Sequence, residues 1–396
     1  LFAACSHPPP APSRQVVIRP DVTLLGVALA LRTGSSDTAL ADDAPKQVMA
    51  GDTVWVFPVV KLLIGKKDTL YLANTLHLGR VGRSSETDSG WNTKDHTSIW
   101  NKLKDDISIE WYEVRPVKSF FGRNEPLEYR PVPLAAKRRD EPAEDWYREF
   151  SGKAGFTRLQ VRARYGLQTA FNDNLAFEHD VGQIPWASFR QDTTWFGCLT
   201  GMLGPVPYRE GSTREQTNDY VCCDSRSLVA AGLAHIGYDI KPEDGDRALD
   251  ALGEEVFSGY VRLGRLYDRK GLRSAFRDVR PGDVIHFSSL ESYAVVLQRP
   301  PRGFTYGGIP ARLRLIRAAH GSPEITTFST ALWSLRTLFA RSYFTVLRFK
   351  PQNKPQAIAN KQKATSRPQP ATRNQRPAAN RKQPAHNTKP KPKLEK

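Results

Sequence analysis

Apolar and polar positions alternate in several stretches of the first half of the chain. Ile107-Ser108-Ile109-Glu110-Trp111 places an apolar side chain at every second residue, the period of a strand with one buried face. Residues 127–131 and 157–165 repeat the pattern, while 51–60 and 69–78 are rich in the β-branched and aromatic residues that strands favour. Between them, 80–106 is dominated by Ser, Thr, Asp and Asn and reads as a long loop. Repeated strands with few helical runs predict a β-rich domain over 46–185, a sandwich or barrel with Trp111 and Trp146 in its core.

The period changes in the second half. Over 224–236, Leu228, Val229, Ala231, Leu233 and Ile236 share one helical face, Asp224 suits the N-cap and Gly237 the stop. Residues 247–256 predict a second helix. Four strands follow, over 284–287, 293–297, 313–319 and 343–349, the first entered through the turn Arg280-Pro281-Gly282-Asp283. Helices followed by a group of antiparallel strands describe an α+β domain over 186–350.

Composition narrows the function classes. With 396 residues, 39% of them apolar, the chain can bury a substantial core. The 58 Lys+Arg against 41 Asp+Glu give +17, but 351–396 alone carries 12 basic residues and one acid, leaving +6 for the rest. That segment also holds eight prolines and cannot bury a core, so it is expected to be a disordered basic tail. Its charge would attract anionic lipid or anionic envelope polymers in a salt-dependent way. No aromatics interleave with the basic residues, so stacking on nucleic-acid bases is not indicated. No apolar run reaches the ~20 residues of a transmembrane helix. The four cysteines make no disulfide framework and show no zinc spacing, and no Gly-rich phosphate loop follows a strand. No metal or cofactor is expected.

Residues 1–45 read as a leader. Leu1-Phe2-Ala3-Ala4-Cys5 followed by a Pro-rich run is similar to the end of a bacterial lipoprotein signal, which makes Cys5 a candidate for lipidation. The apolar run 22–31, preceded by Arg14 and Arg19 and followed by Ala39-Leu40-Ala41, has the secretory alternative's composition. Either reading places the protein in the bacterial cell envelope, periplasmic or secreted. The alternative to both is a poorly ordered leader.

Candidate chemistry lies in five segments in a fixed order. They are Gly204-Pro205-Val206-Pro207-Tyr208, Asp224-Ser225-Arg226-Ser227-Leu228-Val229, Pro281-Gly282-Asp283-Val284, Tyr293-Ala294-Val295-Val296 and Ala318-Ala319-His320-Gly321. Their order resembles the NlpC-type cell-wall peptidases, over about half the chain. The resemblance implies a papain-like fold and cleavage of amide bonds in the stem peptides of peptidoglycan. In such enzymes a cysteine at a helix N-terminus is the nucleophile, a histidine the base, and a third polar residue orients it.

In this chain the nucleophile slot falls on Ser225, with Cys222 and Cys223 just upstream, and the base slot on Tyr293. His320 occupies the orienting slot. Three readings stand. The domain has lost hydrolysis and binds wall peptides; a local shift makes Cys222 or Cys223 the nucleophile with His320 as base; or Ser225 attacks. A weaker alternative is polyanion or nucleic-acid binding through the tail. Outside the motif, Cys198 reads as packing, His286 as a satisfied strand histidine and Asp283 as part of its turn.

Overall fold

A computed structural model of the chain describes residues 19–34, 40–65, 68–75, 93–135, 146–172, 181, 184–241, 244, 248–263, 265–288, 292–299, 305–306, 309–310, 313–318, 321–327 and 342–352. The first half runs β1 (Val22–Thr33), β2 (Lys46–Met49), β3 (Thr53–Ile64), β4 (Asp68–Leu72), α1 (Thr93–Leu103), β5 (Ile107–Pro116), β6 (Phe120–Phe121), β7 (Tyr129–Pro133), β8 (Arg148–Ser151), β9 (Gly155–Tyr165), β10 (Gln168–Phe171) and β11 (Trp186–Arg190). These strands build a four-stranded sheet, β1-β3-β4 with β8 on β3, and a six-stranded sheet, β2-β11-β9-β5-β7 with β10 on β9.

The two sheets share one apolar cluster. Val22, Leu29, Val54 and Leu62 from the first meet Ile107, Ile109, Trp111, Leu159 and Val161 from the second, with Trp146 beside them. The alternation read from 107–111 is realised: Ile107, Ile109 and Trp111 are buried and Ser108 is exposed. Pro58 sits inside β3, where its missing N–H would ordinarily break a ladder. It falls between the two partners on one side of the strand, because β8 pairs as far as Val56 and β4 begins at Val60.

Two expectations change here. The apolar run read as a secretory segment is strand β1, paired along its length with β3 from Val22↔Ile64 to Thr33↔Val54. Its Arg32 is buried against the rings of Trp55 and Phe57, so the charge that interrupts the run is covered by aromatic faces. The polar stretch expected as a loop contains α1, with Ile99, Trp100 and Leu103 turned to the core. Cys5 and residues 353–396 lie outside the described residues.

Beyond β11 come α2 (Trp195–Cys198), a 3-10 turn at Leu199–Met202, β12 (Tyr208–Arg209), α3 (Arg214–Asn218), α4 (Ser225–Ala234) and α5 (Ala248–Leu252). The remaining strands are β13 (Glu254–Arg262), β14 (Arg265–Asp268), β15 (Val284–Phe287), β16 (Ser292–Gln298), β17 (Thr305–Tyr306), β18 (Ile309–Pro310), β19 (Arg314–Arg317), β20 (Glu324–Thr327) and β21 (Ser342–Arg348). Seven of them form an antiparallel sheet in the order β14-β13-β21-β15-β16-β19-β20. One face packs Val284, Val295, Ile316 and Leu347 against Leu228, Val229 and Leu233 of α4. The opposite face gathers Ile285, Val296, Leu315, Phe344 and Val346 with Phe276.

The α+β papain-like expectation is overturned. Among the described residues 48% lie in strands and 15% in helices, arranged as several antiparallel sheets, which is not the helix-plus-sheet balance of a papain-like domain. The cause is visible at 247–256, expected as a helix. Only Ala248–Leu252 is helical; from Glu254 the chain extends into β13 and turns into β14, widening the sheet by two strands. β11, placed by the pattern in the second domain, pairs with β9 and β2 of the first.

Candidate functional site

The site implied by the motif order is built around the start of α4. Asp224 caps the helix: its Oδ1 accepts from Ser227 N at 2.7 Å while Ser227 Oγ accepts from Asp224 N at 2.9 Å, a reciprocal capping box. Asp224 Oδ2 also accepts from Gly211 N at 3.0 Å, tying the cap to the preceding loop. The helix therefore begins at Ser225, as the uninterrupted register predicts, and the two cysteines lie upstream in extended chain. Cys223 bridges to Tyr208 in parallel, with its N–H donating to Pro207 O at 3.0 Å and Arg209 N–H donating to its carbonyl at 3.0 Å.

Both sulfurs face inward. Cys222 and Cys223 are each 0% exposed. Cys222 packs with Phe121, Leu127 and Val221, and its Sγ accepts from Ser212 Oγ at 3.4 Å. Cys223 belongs to the larger cluster that holds α4 on the sheet. Burial, reinforced by the neighbouring Asp224 carboxylate and then by Cys222, pushes the Cys223 thiol well above its ordinary pKa. A nucleophilic cysteine needs the reverse, a thiolate in a partly exposed, electropositive setting. Ser225, the first residue of α4, is also buried. The helix N-terminus is present; a reagent within a substrate's reach is not among these three side chains.

Tyr293, in the base slot, is 1% exposed and stacks on its cross-strand partner His286 at 4.4 Å with the rings 15° apart. His286 Nδ1 lies 2.8 Å from Asp250 Oδ2 of α5. The structure thus brings Tyr293, His286 and Asp250 together, and Cys223 and Tyr293 share one apolar cluster. Sequence reading found His286 as a satisfied strand histidine but not its partner; the available signal was a lone carboxylate in the otherwise apolar Ala248–Leu252 helix. His320 lies outside the described residues, as does Cys5. Among the described residues no three His, Cys, Asp or Glu side chains are grouped to hold a metal ion.

On the rim of the motif, Tyr208 stacks on Phe120 at 5.5 Å and 12° through the short parallel pairing of β12 with β6. Burial, followed by the charges of Asp224 and Glu210, raises the Tyr208 hydroxyl to about 12, so it stays protonated and can donate. Phe120 is 38% exposed, which leaves an aromatic edge beside the entrance to α4. No helix among the described residues is long and apolar enough to cross a membrane. No family model, curated protein or solved structure matches the chain.

Proposed function

We propose that this protein is a non-hydrolysing module of the bacterial envelope that binds wall peptides. The observation that carries the reading is the complete burial of Cys222 and Cys223 beside a well-capped helix that keeps Asp224, Leu228 and Val229 of the motif but neither its nucleophile nor its base. The module keeps a capped helix N-terminus at this place while the neighbouring sulfurs serve as packing. The Phe120–Tyr208 pair supplies the contact surface: an apolar ring for stem-peptide side chains and a protonated hydroxyl for peptide carbonyls. The net +11 of 351–396 adds a salt-sensitive attraction to anionic wall polymers or lipid.

The test is cosedimentation of the full chain with purified peptidoglycan sacculi, with the supernatant analysed for released fragments. The chain is expected to pellet without releasing fragments, and Phe120→Ala is expected to weaken pelleting by about tenfold, the scale of losing one exposed aromatic anchor. Fragment release abolished by Cys222→Ser or Cys223→Ser would overturn the reading, and so would failure to pellet.

A further inference from the structure

The thiol set aside as packing is the least buried of the described cysteines. Cys198 ends α2, a turn fixed by Thr194, whose Oγ1 accepts from Gly197 N at 3.0 Å. Arg190, at the end of β11, donates from Nη1 to Cys198 Sγ at 3.6 Å. Its Nε is buried with no hydrogen-bond partner among the described residues. Thiol and guanidinium line a cavity of about 30 Å³ together with Ser188, Tyr220 and His235. Cys198 is partly exposed, while Cys222 and Cys223 are sealed and do not line this space.

The lining chemistry is specific. Ser188 Oγ donates to Gly201 O at 3.1 Å and lies 2.9 Å from Tyr220 Oη, so the tyrosine supplies the proton of that contact. Burial pushes Tyr220 up to about 12, which keeps it neutral. Desolvation on the cavity side and then the Arg190 charge hold the pKa of His235, a residue otherwise exposed to solvent, below its ordinary value. The cavity therefore holds one fixed cation, Arg190, beside two sulfurs, the Cys198 thiol and the Met202 thioether, with His235 at its solvent-exposed side.

Size selects the reagent. A water needs roughly 10–15 Å³ measured this way, so the cavity admits a molecule of about two heavy atoms. Pockets for peptides or sugars run to several hundred Å³. We propose that Cys198 is a peroxide-reactive thiol, with hydrogen peroxide entering this cavity and Arg190 holding the negative charge that the reaction places on sulfur and on the departing oxygen. The sulfur attacks one peroxide oxygen; the S–O bond forms as the O–O bond breaks. Two electrons pass from sulfur to the peroxide, the thiol proton leaves with the departing oxygen as water, and the sulfur becomes a sulfenic acid. No other described cysteine lines the cavity, so return to the thiol falls to a small-molecule thiol from solution.

The experiment treats the full chain with hydrogen peroxide in the presence of dimedone and locates the adduct by mass spectrometry. Cys198 is expected to carry the adduct at a rate about tenfold above that of a synthetic peptide spanning 190–202, an activation typical of a cation-paired thiol. Arg190→Met is expected to remove that advantage, and Cys198→Ser to abolish that adduct. A rate no faster than the peptide's overturns the proposal, as does preferential tagging of Cys222 or Cys223. So does an Arg190→Met variant with unchanged thermal unfolding that reacts as fast as the parent. The peptide comparison decides the matter even where the arginine variant fails to fold, and none of these readouts depends on wall binding.

Discussion

Replacing Arg348 by Met should expose how much the seven-stranded sheet depends on one buried ion pair. Arg348 leaves β21 and meets Asp283 of the Pro-Gly-Asp turn in a bidentate pair, Nε to Oδ1 and Nη2 to Oδ2, both 2.8 Å. The same Nη2 donates to Asp278 O at 2.6 Å, and Asp283 Oδ2 also accepts from Arg280 N at 2.7 Å. Asp283 is 1% exposed, so removing the guanidinium leaves a buried carboxylate with a single backbone donor. Breaking one side of such a pair costs about 3–5 kcal/mol; the retained Arg280 N–H and the partial exposure of Arg348 place this case near ~3 kcal/mol. With a urea dependence of about 3 kcal/mol per molar, the unfolding midpoint falls by about 1 M. The assay is urea unfolding followed by tryptophan fluorescence, run as a double-mutant cycle with Asp283→Asn. The double variant removes the stranded charge and should recover most of the loss. A single-variant cost under about 1 kcal/mol with no coupling in the cycle would mean that the pair behaves as a solvated surface contact, and the reasoning would be refuted.

Two further outcomes follow from the site. Asp224→Ala removes the helix cap and the bond to Gly211, and should cost about 1–2 kcal/mol. Asp224→Asn keeps an acceptor and relieves the burial that raises the Asp224 pKa, so it should cost less than half as much in the same urea titration; an equal or larger loss contradicts the capping account. His235 has a folded pKa below 6.5, so at pH values between that lowered pKa and 6.5 the unfolded chain binds more protons than the folded one. Its contribution is complete above pH 6.5 and is lost as pH falls from 6.5 through the folded pKa. His235→Gln should lose less stability than the parent between pH 7.5 and 5.5, and parallel losses would sink the assignment.

The β-rich half was legible wherever one face of a strand is wet. β5 and β9 show their period because Ser108 and Arg164 mark the outer face between buried neighbours. β1 was not legible, because every position from Leu29 to Arg32 is buried and an apolar run of that kind looks the same in a secretory segment. What identifies it is the register with β3 some thirty residues away, which no local pattern contains. At the candidate site the order was legible: Asp224 caps α4, the helix stops at Ala234, two residues before the expected Ile236, with Gly237 at φ +96° in the turn that follows, and Tyr293 lies near the start of its strand. Burial was not. Cys222 is closed off by Phe121 and Leu127, about a hundred residues earlier, and His286 is engaged by a carboxylate on a different element. Side-chain identity at a motif says which chemistry is available, while its accessibility is decided by distant packing.

The place of β21 has a consequence for how the chain is made. It joins β13 to β15, which do not pair with each other, so the sheet exists as two separate ladders until Ser342–Arg348 arrives. On a ribosome, roughly 60 residues separate the end of β15 from the end of β21, about 3–12 s of synthesis at ordinary rates. Throughout that interval β13 and β15 each offer a ladder edge that another nascent chain can occupy. The last strand therefore acts as a keystone, and its arrival sets the earliest moment at which the sheet can close.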